Sequence, residues 1–145
     1  VAYVGARLPA IPTAVRIFGD QLILDADDRV TGREEKLLVN AASIEIAQVP
    51  GLMREFGGLC FPAHIDRSSY SILSNLGFIP QEYGFRAVEV AKPDSFFASG
   101  NNLFIKECYT VLTSSDAHYL ENISEREHCI HLDAVDYAGL AERLL

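Results

Sequence analysis

An α/β fold built on a parallel sheet, open or as part of a barrel, is what this sequence predicts, and two observations predict it. The runs Leu59 to Ala63, Ala87 to Val90, Tyr109 to Thr113 and Cys129 to Leu132 are short and continuously apolar, without the alternation of a half-solvated sheet. Segments able to form helices separate them: Tyr70 to Leu76, Pro93 to Lys106 and the weaker Ser124 to Glu127.

The amino-terminal part reads differently. Residues 17 to 31 predict a hairpin: Ile17-Phe18, then Gln21-Leu22-Ile23-Leu24, the polar turn Asp25-Ala26-Asp27-Asp28, and a return through Val30. Glu34 to Asn40 holds helix formers behind Gly32. Ser43 to Phe56 opens on a capping residue, carries Ile44, Ile46, Val49, Leu52, Met53 and Phe56 at helical spacing, and stops at Gly57-Gly58. Pro50 either bends that helix or marks its true start. Asp136 to Leu145 closes the chain as an amphipathic helix. The organisation expected is therefore a hairpin and helix segment over 1–41, inserted ahead of β/α units over 42–145.

Composition bounds the function. The 145 residues are 49% hydrophobic and 22% charged, enough to bury one core. A net charge of -8 argues against duplex DNA as a partner, because a duplex binder carries a basic stripe to neutralise phosphates. Cys60, Cys108 and Cys129 are odd in number and lack C-x-x-C spacing, which speaks against a disulfide framework and for a reducing cytoplasm. No stretch approaches the roughly 20 apolar residues of a membrane span, and no signal peptide is visible. The opening Val1-Ala2-Tyr3-Val4, with neither Met nor a cap before it, suggests that an upstream portion is missing.

Two peptides carry the chemistry: Phe61-Pro62-Ala63-His64-Ile65-Asp66-Arg67 and Thr113-Ser114-Ser115-Asp116-Ala117-His118. Each follows an apolar run and presents imidazole and carboxylate, and reactive groups of parallel sheets collect at the carboxyl ends of strands. Asp116 and His118, at i and i+2, can face one cation or neighbouring ones, and a carboxylate with neutral imidazole suits Zn, Mn or Fe(II) better than Ca or Mg. The plainer alternative has Ser115 and Asp116 capping a short helix through Tyr119 to Ile123, with His118 on the surface and His64 a hydrogen-bonded histidine at a strand end. Arg67 suits a phosphate clamp through its guanidinium fork, or a salt bridge to Asp66 or a neighbouring acid. Glu89 is either an outer partner for a ligand imidazole or an ordinary strand-end carboxylate. His128 and His131 stand at i and i+3 of a strand, on opposite faces, and do not share an ion. Tyr70, Phe78, Tyr83, Phe85, Phe96, Phe97 and Phe104 read as packing. No Gly-rich phosphate loop, G-x-S-x-G or Cys-His nucleophile pattern is present.

Taken together, Pro62-Ala63-His64-Ile65-Asp66-Arg67 and Thr113-Ser114-Ser115-Asp116-Ala117-His118 resemble the third and fourth motifs of the PHP domain, the polymerase and histidinol phosphatase superfamily of metal-dependent phosphoesterases. Ser69 to Pro80 and Gly32 to Ala41 also look like a bacterial subgroup of these proteins. The resemblance covers residues 16 to 133 or so. It implies a distorted (β/α)7 barrel, into which the hairpin read above would be a small β-hairpin insertion near the amino terminus, with His64, Asp116 and His118 as ligands of divalent metal ions (Zn, Mn or Fe); in such a parent Arg67, three residues after a ligand, is the best candidate to clamp the substrate phosphate. It further implies a hydrolase that cleaves a phosphorylated small molecule or nucleotide through metal-bound hydroxide. The family's H-x-H and T-D-H elements and its mid-domain Glu should precede residue 1, so this carboxyl-terminal portion is expected to be inactive alone, with exposed sheet edges that favour either a homo-oligomer or a fold-back of residues 1 to 31 that shields them. The rival reading is a noncatalytic or regulatory α/β module that keeps the His and Asp residues as structure.

Overall fold

The structure, a computed structural model, describes residues 2–144. The chain is mixed α/β and divides into two compact units, Val1–Ile46 and Ala47–Leu145.

In the first unit, short helices α1 (Ala2–Gly5) and α2 (Val15–Phe18) precede strands β1 (Leu22–Leu24) and β2 (Val30–Arg33), an antiparallel pair with Leu22 opposite Arg33 and Ile23 opposite Gly32. The expected hairpin is present, except that Ile17-Phe18 belongs to α2 rather than to a strand. Its turn is built by Asp25, whose Oδ1 accepts from the backbone N–H groups of Asp27 and Arg29, both at 2.9 Å. This side chain imitates a backbone turn and lets Asp28 take a left-handed φ of 59°.

Glu34 to Asn40 is not a helix. Its backbone is claimed elsewhere: Leu37 N–H donates to the Ile11 carbonyl and Thr13 N–H to that of Glu35, while Pro12 bridges to Lys36. The Gln21 amide reinforces this, its Nε2 lying 3.0 and 2.8 Å from the carbonyls of Glu34 and Lys36 and its Oε1 accepting from Leu38 N–H. Long-range bonds thus override helix propensity.

A 3₁₀ turn at Ile46–Gln48, where the first unit ends and the second begins, leads into α3 (Val49–Glu55). Only the second half of the expected Ser43–Phe56 helix forms, and Pro50 in its first turn marks the start, where a missing N–H costs nothing. Leu59 to Ala63 is not a laddered strand. Pro62 has no N–H to give, so the segment's bonds to its neighbour reduce to Pro62 accepting from Glu89 and Ile65 donating to Glu89.

Helix α4 (Ile72–Leu76) starts in a capping box between Ser71 and Ser74 and ends at left-handed Gly77. Strand β3 (Ala87–Glu89), the crossover helices α5 (Pro93–Ala98) and α6 (Phe104–Cys108), and strand β4 (Thr110–Leu112) form a β-α-β unit. β3 and β4 pair in parallel with Val88 opposite Val111, as the uninterrupted apolar runs predict. No barrel closes among the described residues: each sheet has two strands. Neither Ser124 to Glu127 nor Cys129 to Leu132 becomes a helix or strand, and His128 and His131 are exposed.

The core of this unit is Ile65, Ile72, Ile79, Val88, Val90, Phe97 and Ile105, so one face of the β3–β4 pair, α4 and both crossover helices converge on it. Phe85 and Phe96 pack against it, but Tyr70, Phe78 and Phe104, expected as packing residues, are 91%, 61% and 54% exposed. No helix of the described residues is long and apolar enough to cross a membrane.

The closing helix α7 (Tyr137–Leu144) is capped by Asp136, which accepts from Gly139 N–H at 2.9 Å, and Tyr137 Oη donates to the Gly57 carbonyl at 2.5 Å. Gly139 is buried where an added Cβ would lie 2.0 Å from the Ala134 carbonyl oxygen. Backbone cannot swing aside as a side-chain tip can. Gly139→Ala is therefore expected to lower thermal stability although alanine favours helices, whereas Gly51→Ala in α3, where the new methyl meets open space, should raise it by roughly 0.5–1 kcal/mol. Paired melting curves check both signs.

Candidate functional site

The candidate residues sit on two loops at the carboxyl edge of the parallel pair. The loop after Ala63 is held by Asp66, both of whose carboxylate oxygens are occupied: Oδ1 accepts from Ala91 N–H and Oδ2 from Lys92 N–H, each at 2.8 Å, just beyond β3. Asp66 is thereby a backbone clamp. It leaves Arg67 to reach across, and Arg67 Nη2 lies 2.7 Å from Asp116 Oδ2 on the loop after β4.

Glu89, the last residue of β3, joins the same loops a second time. Its Oε2 accepts from His64 N–H at 3.0 Å and its Oε1 accepts from Ser114 Oγ. The partner is thus the His64 backbone, not the imidazole that sequence reasoning offered. A carboxylate on a strand otherwise buried is the signal that such a crosslink exists, because a charge there must be bound.

His64 and Asp116 both have left-handed backbones, φ 32° and 49°. For residues other than glycine this stores strain and aims side chains where a regular strand end would not. His118 Nδ1 lies 2.8 Å from the Asp116 carbonyl oxygen. A carbonyl only accepts, so Nδ1 carries the proton and Nε2 presents its lone pair. The helix that Ser115 and Asp116 were to cap is a 3₁₀ turn at Leu120–Asn122, preceded by Tyr119 without a side-chain cap.

Among the described residues, no three His, Cys, Asp or Glu side chains are grouped as one ion would require. The donor types nevertheless fit a borderline divalent cation, and His64 Nδ1 is buried with no hydrogen-bond partner. An imidazole nitrogen withheld from both water and protein is a site that a cation or another donor would satisfy.

All three cysteines are free. Burial pushes the Cys60 thiol up from its ordinary value, and nearby Arg54 offsets only part of that shift. Since the thiolate is the nucleophile, Cys60 should alkylate more slowly at pH 8 than exposed Cys108 and Cys129, with peptide mapping after timed iodoacetamide labelling as the check.

Comparison of the chain with known protein families, with curated proteins and with solved structures finds no match.

Proposed function

We propose that this chain is the carboxyl-terminal portion of a PHP-type metal-dependent phosphoesterase, contributing the last β/α units of a (β/α)7 barrel and one side of its active centre. The observation that carries the reading is the meeting of the Arg67 and Asp116 loops at the carboxyl edge of a parallel β-α-β unit, the first loop also bearing His64 with its unpartnered Nδ1. Carboxyl edges of parallel strands are where such folds conduct chemistry.

In this reading His64, Asp116 and His118 would hold a divalent ion (Zn, Mn or Fe) together with ligands from elsewhere in the parent. A bound ion supplies water activation and charge neutralisation at the phosphoryl group. The chain's own contribution is binding and orientation. Arg67 exchanges one anionic partner, the Asp116 carboxylate, for another, the substrate phosphate, which matches its fork equally well. Asp66 and Glu89 hold the two loops at fixed spacing while that exchange occurs. The substrate is a phosphorylated small molecule or nucleotide.

The test is metal content and phosphomonoesterase activity, measured on the full-length parent and on this chain side by side. Activity in the parent, lost in Asp116→Asn and by chelation, with negligible turnover in the 145-residue chain, is expected. Robust, chelator-sensitive turnover by the chain alone would sink the incomplete-site reading, and an inactive, metal-free parent would sink the enzyme.

A noncatalytic or regulatory α/β module is the second reading. It is favoured by one observation: Asp66, Glu89 and the Arg67–Asp116 pair are all satisfied by protein partners, as in a structural network. An H-x-H followed by T-D-H upstream in the parent supports the enzyme, and their absence the module. In either case the successive apolar residues Leu22, Ile23 and Leu24, 44%, 48% and 49% exposed on a short hairpin, favour self-association through exposed edges.

A further inference from the structure

An open cleft of about 870 Å³ lies at the opposite, amino-terminal edge of the β3–β4 pair, lined by residues that the proposed chemistry does not use. Arg86 enters it from the residue before β3, Thr110 from the first position of β4, Lys106 from α6 and Arg143 from the last turn of α7. Glu107 and Glu142 line it too, so three cations face two carboxylates. In a chain of net charge -8 this local surplus of positive charge runs against the whole.

The cations are also uncommitted. Neither Arg86 nor Arg143 makes a side-chain ion pair or hydrogen bond among the described residues, in spite of the two glutamates in the same cleft. Lys106 is held by its Nζ 4.2 Å from the Phe97 ring centroid, which positions the ammonium without neutralising it. The Arg86 carbonyl accepts from Thr110 N–H at 2.8 Å, so the backbones bearing the first guanidinium and the Thr110 hydroxyl are fixed to one another by the sheet.

We propose that this cleft binds a small phosphate-type oxyanion at a site separate from the carboxyl-edge loops. Two guanidinium forks from different elements, an ammonium and a hydroxyl donor suit a tetrahedral dianion, which needs more than one cation and several donors. A polyanion such as duplex DNA is disfavoured by the charge of the rest of the surface, whereas a small anion meets only the local field. The inference stands on the cleft alone and does not depend on the phosphoesterase reading.

Inorganic phosphate titrated into the full 145-residue chain at low ionic strength, followed by amide NMR, tests it. Saturable shifts at Arg86, Thr110 and Arg143 are expected, with Arg86→Ala and Arg143→Ala each weakening binding roughly tenfold. The combined Arg86→Lys and Arg143→Lys variant should keep the fold and bind several-fold more weakly than wild type, and it decides the matter if the alanine variants unfold. Lack of saturable binding would overturn the proposal. So would phosphate affinity that survives both arginine replacements and is lost in Arg67→Ala, which would place the anion at the carboxyl edge.

Discussion

Ile65→Ala should cost the second unit about 2–5 kcal/mol, enough to leave a small domain partly unfolded near physiological temperature. Ile65 is 1% exposed and lies in the cluster formed by Ile72, Ile79, Val88, Val90, Phe97 and Ile105. Deleting most of its side chain removes the transfer free energy of the lost carbons. It also leaves a cavity in that cluster, which β-branched Val88 and Val90, restricted at χ1, are ill suited to fill. Ile65 further donates its N–H at 2.8 Å to the Glu89 carbonyl, so it pins the His64 loop to β3 from within. Loosening there should reach the candidate site. Urea unfolding monitored by circular dichroism is the measurement: a midpoint shift at unchanged slope is the expected form, and a loss below about 1 kcal/mol would mean that the site collapses around the smaller side chain.

The parts of the fold legible in the sequence are those where local pattern and tertiary environment agree. Ala87 to Val90 and Tyr109 to Thr113 are largely apolar because both faces of the β3–β4 pair are covered, Ala87 and Val88 on opposite faces being fully buried and the residues of β4 partly so, and that pattern survives translation into parallel strands. Asp25 to Asp28 announces its turn through side chains that bond their own backbone. Legibility fails where a distant partner decides. Glu34 to Asn40 has helical composition, yet Ile11, Thr13 and Gln21 claim its backbone groups, and no local signal discloses a partner so far away in sequence. Leu59 to Ala63 looks like a strand until Pro62 is counted as a missing donor, which was visible in advance.

At the candidate site the loops were legible but the wiring was not. His64, Arg67, Asp116 and His118 follow apolar runs in the same sense, which is a property of sequence order. That Arg67 would choose Asp116 over adjacent Asp66 is a property of Asp66 being already engaged by two backbone N–H groups. Saturation of one acceptor determines the partner of the next donor.

Glu89→Ala should uncouple the two candidate loops. The substitution removes both acceptors at once, leaving His64 N–H and Ser114 Oγ without their shared partner. Hydrogen bonds to a charged group contribute about 1.5–3 kcal/mol when buried, and this group is only half-buried, so a total loss of about 1–3 kcal/mol is expected. The strained His64 backbone, φ 32°, should relax once its N–H is released. Glu89→Gln separates charge from connectivity. Its amide oxygen can still accept from His64 N–H while its amide nitrogen donates to Ser114 Oγ, which has lone pairs to receive it, so both links survive in weaker form. Amide hydrogen exchange at His64 reads the difference directly: protection close to wild type in Glu89→Gln and lost in Glu89→Ala. Chemical shifts of Ser114 and Asp116 should move with it in the alanine variant, because the loop after β4 is tied to β3 through that one carboxylate and to the His64 loop through Arg67. Unaltered protection at His64 in Glu89→Ala would show that the loop is held by Asp66 and the Ile65 N–H alone, and the role of Glu89 as a crosslink between the two loops would have to be abandoned.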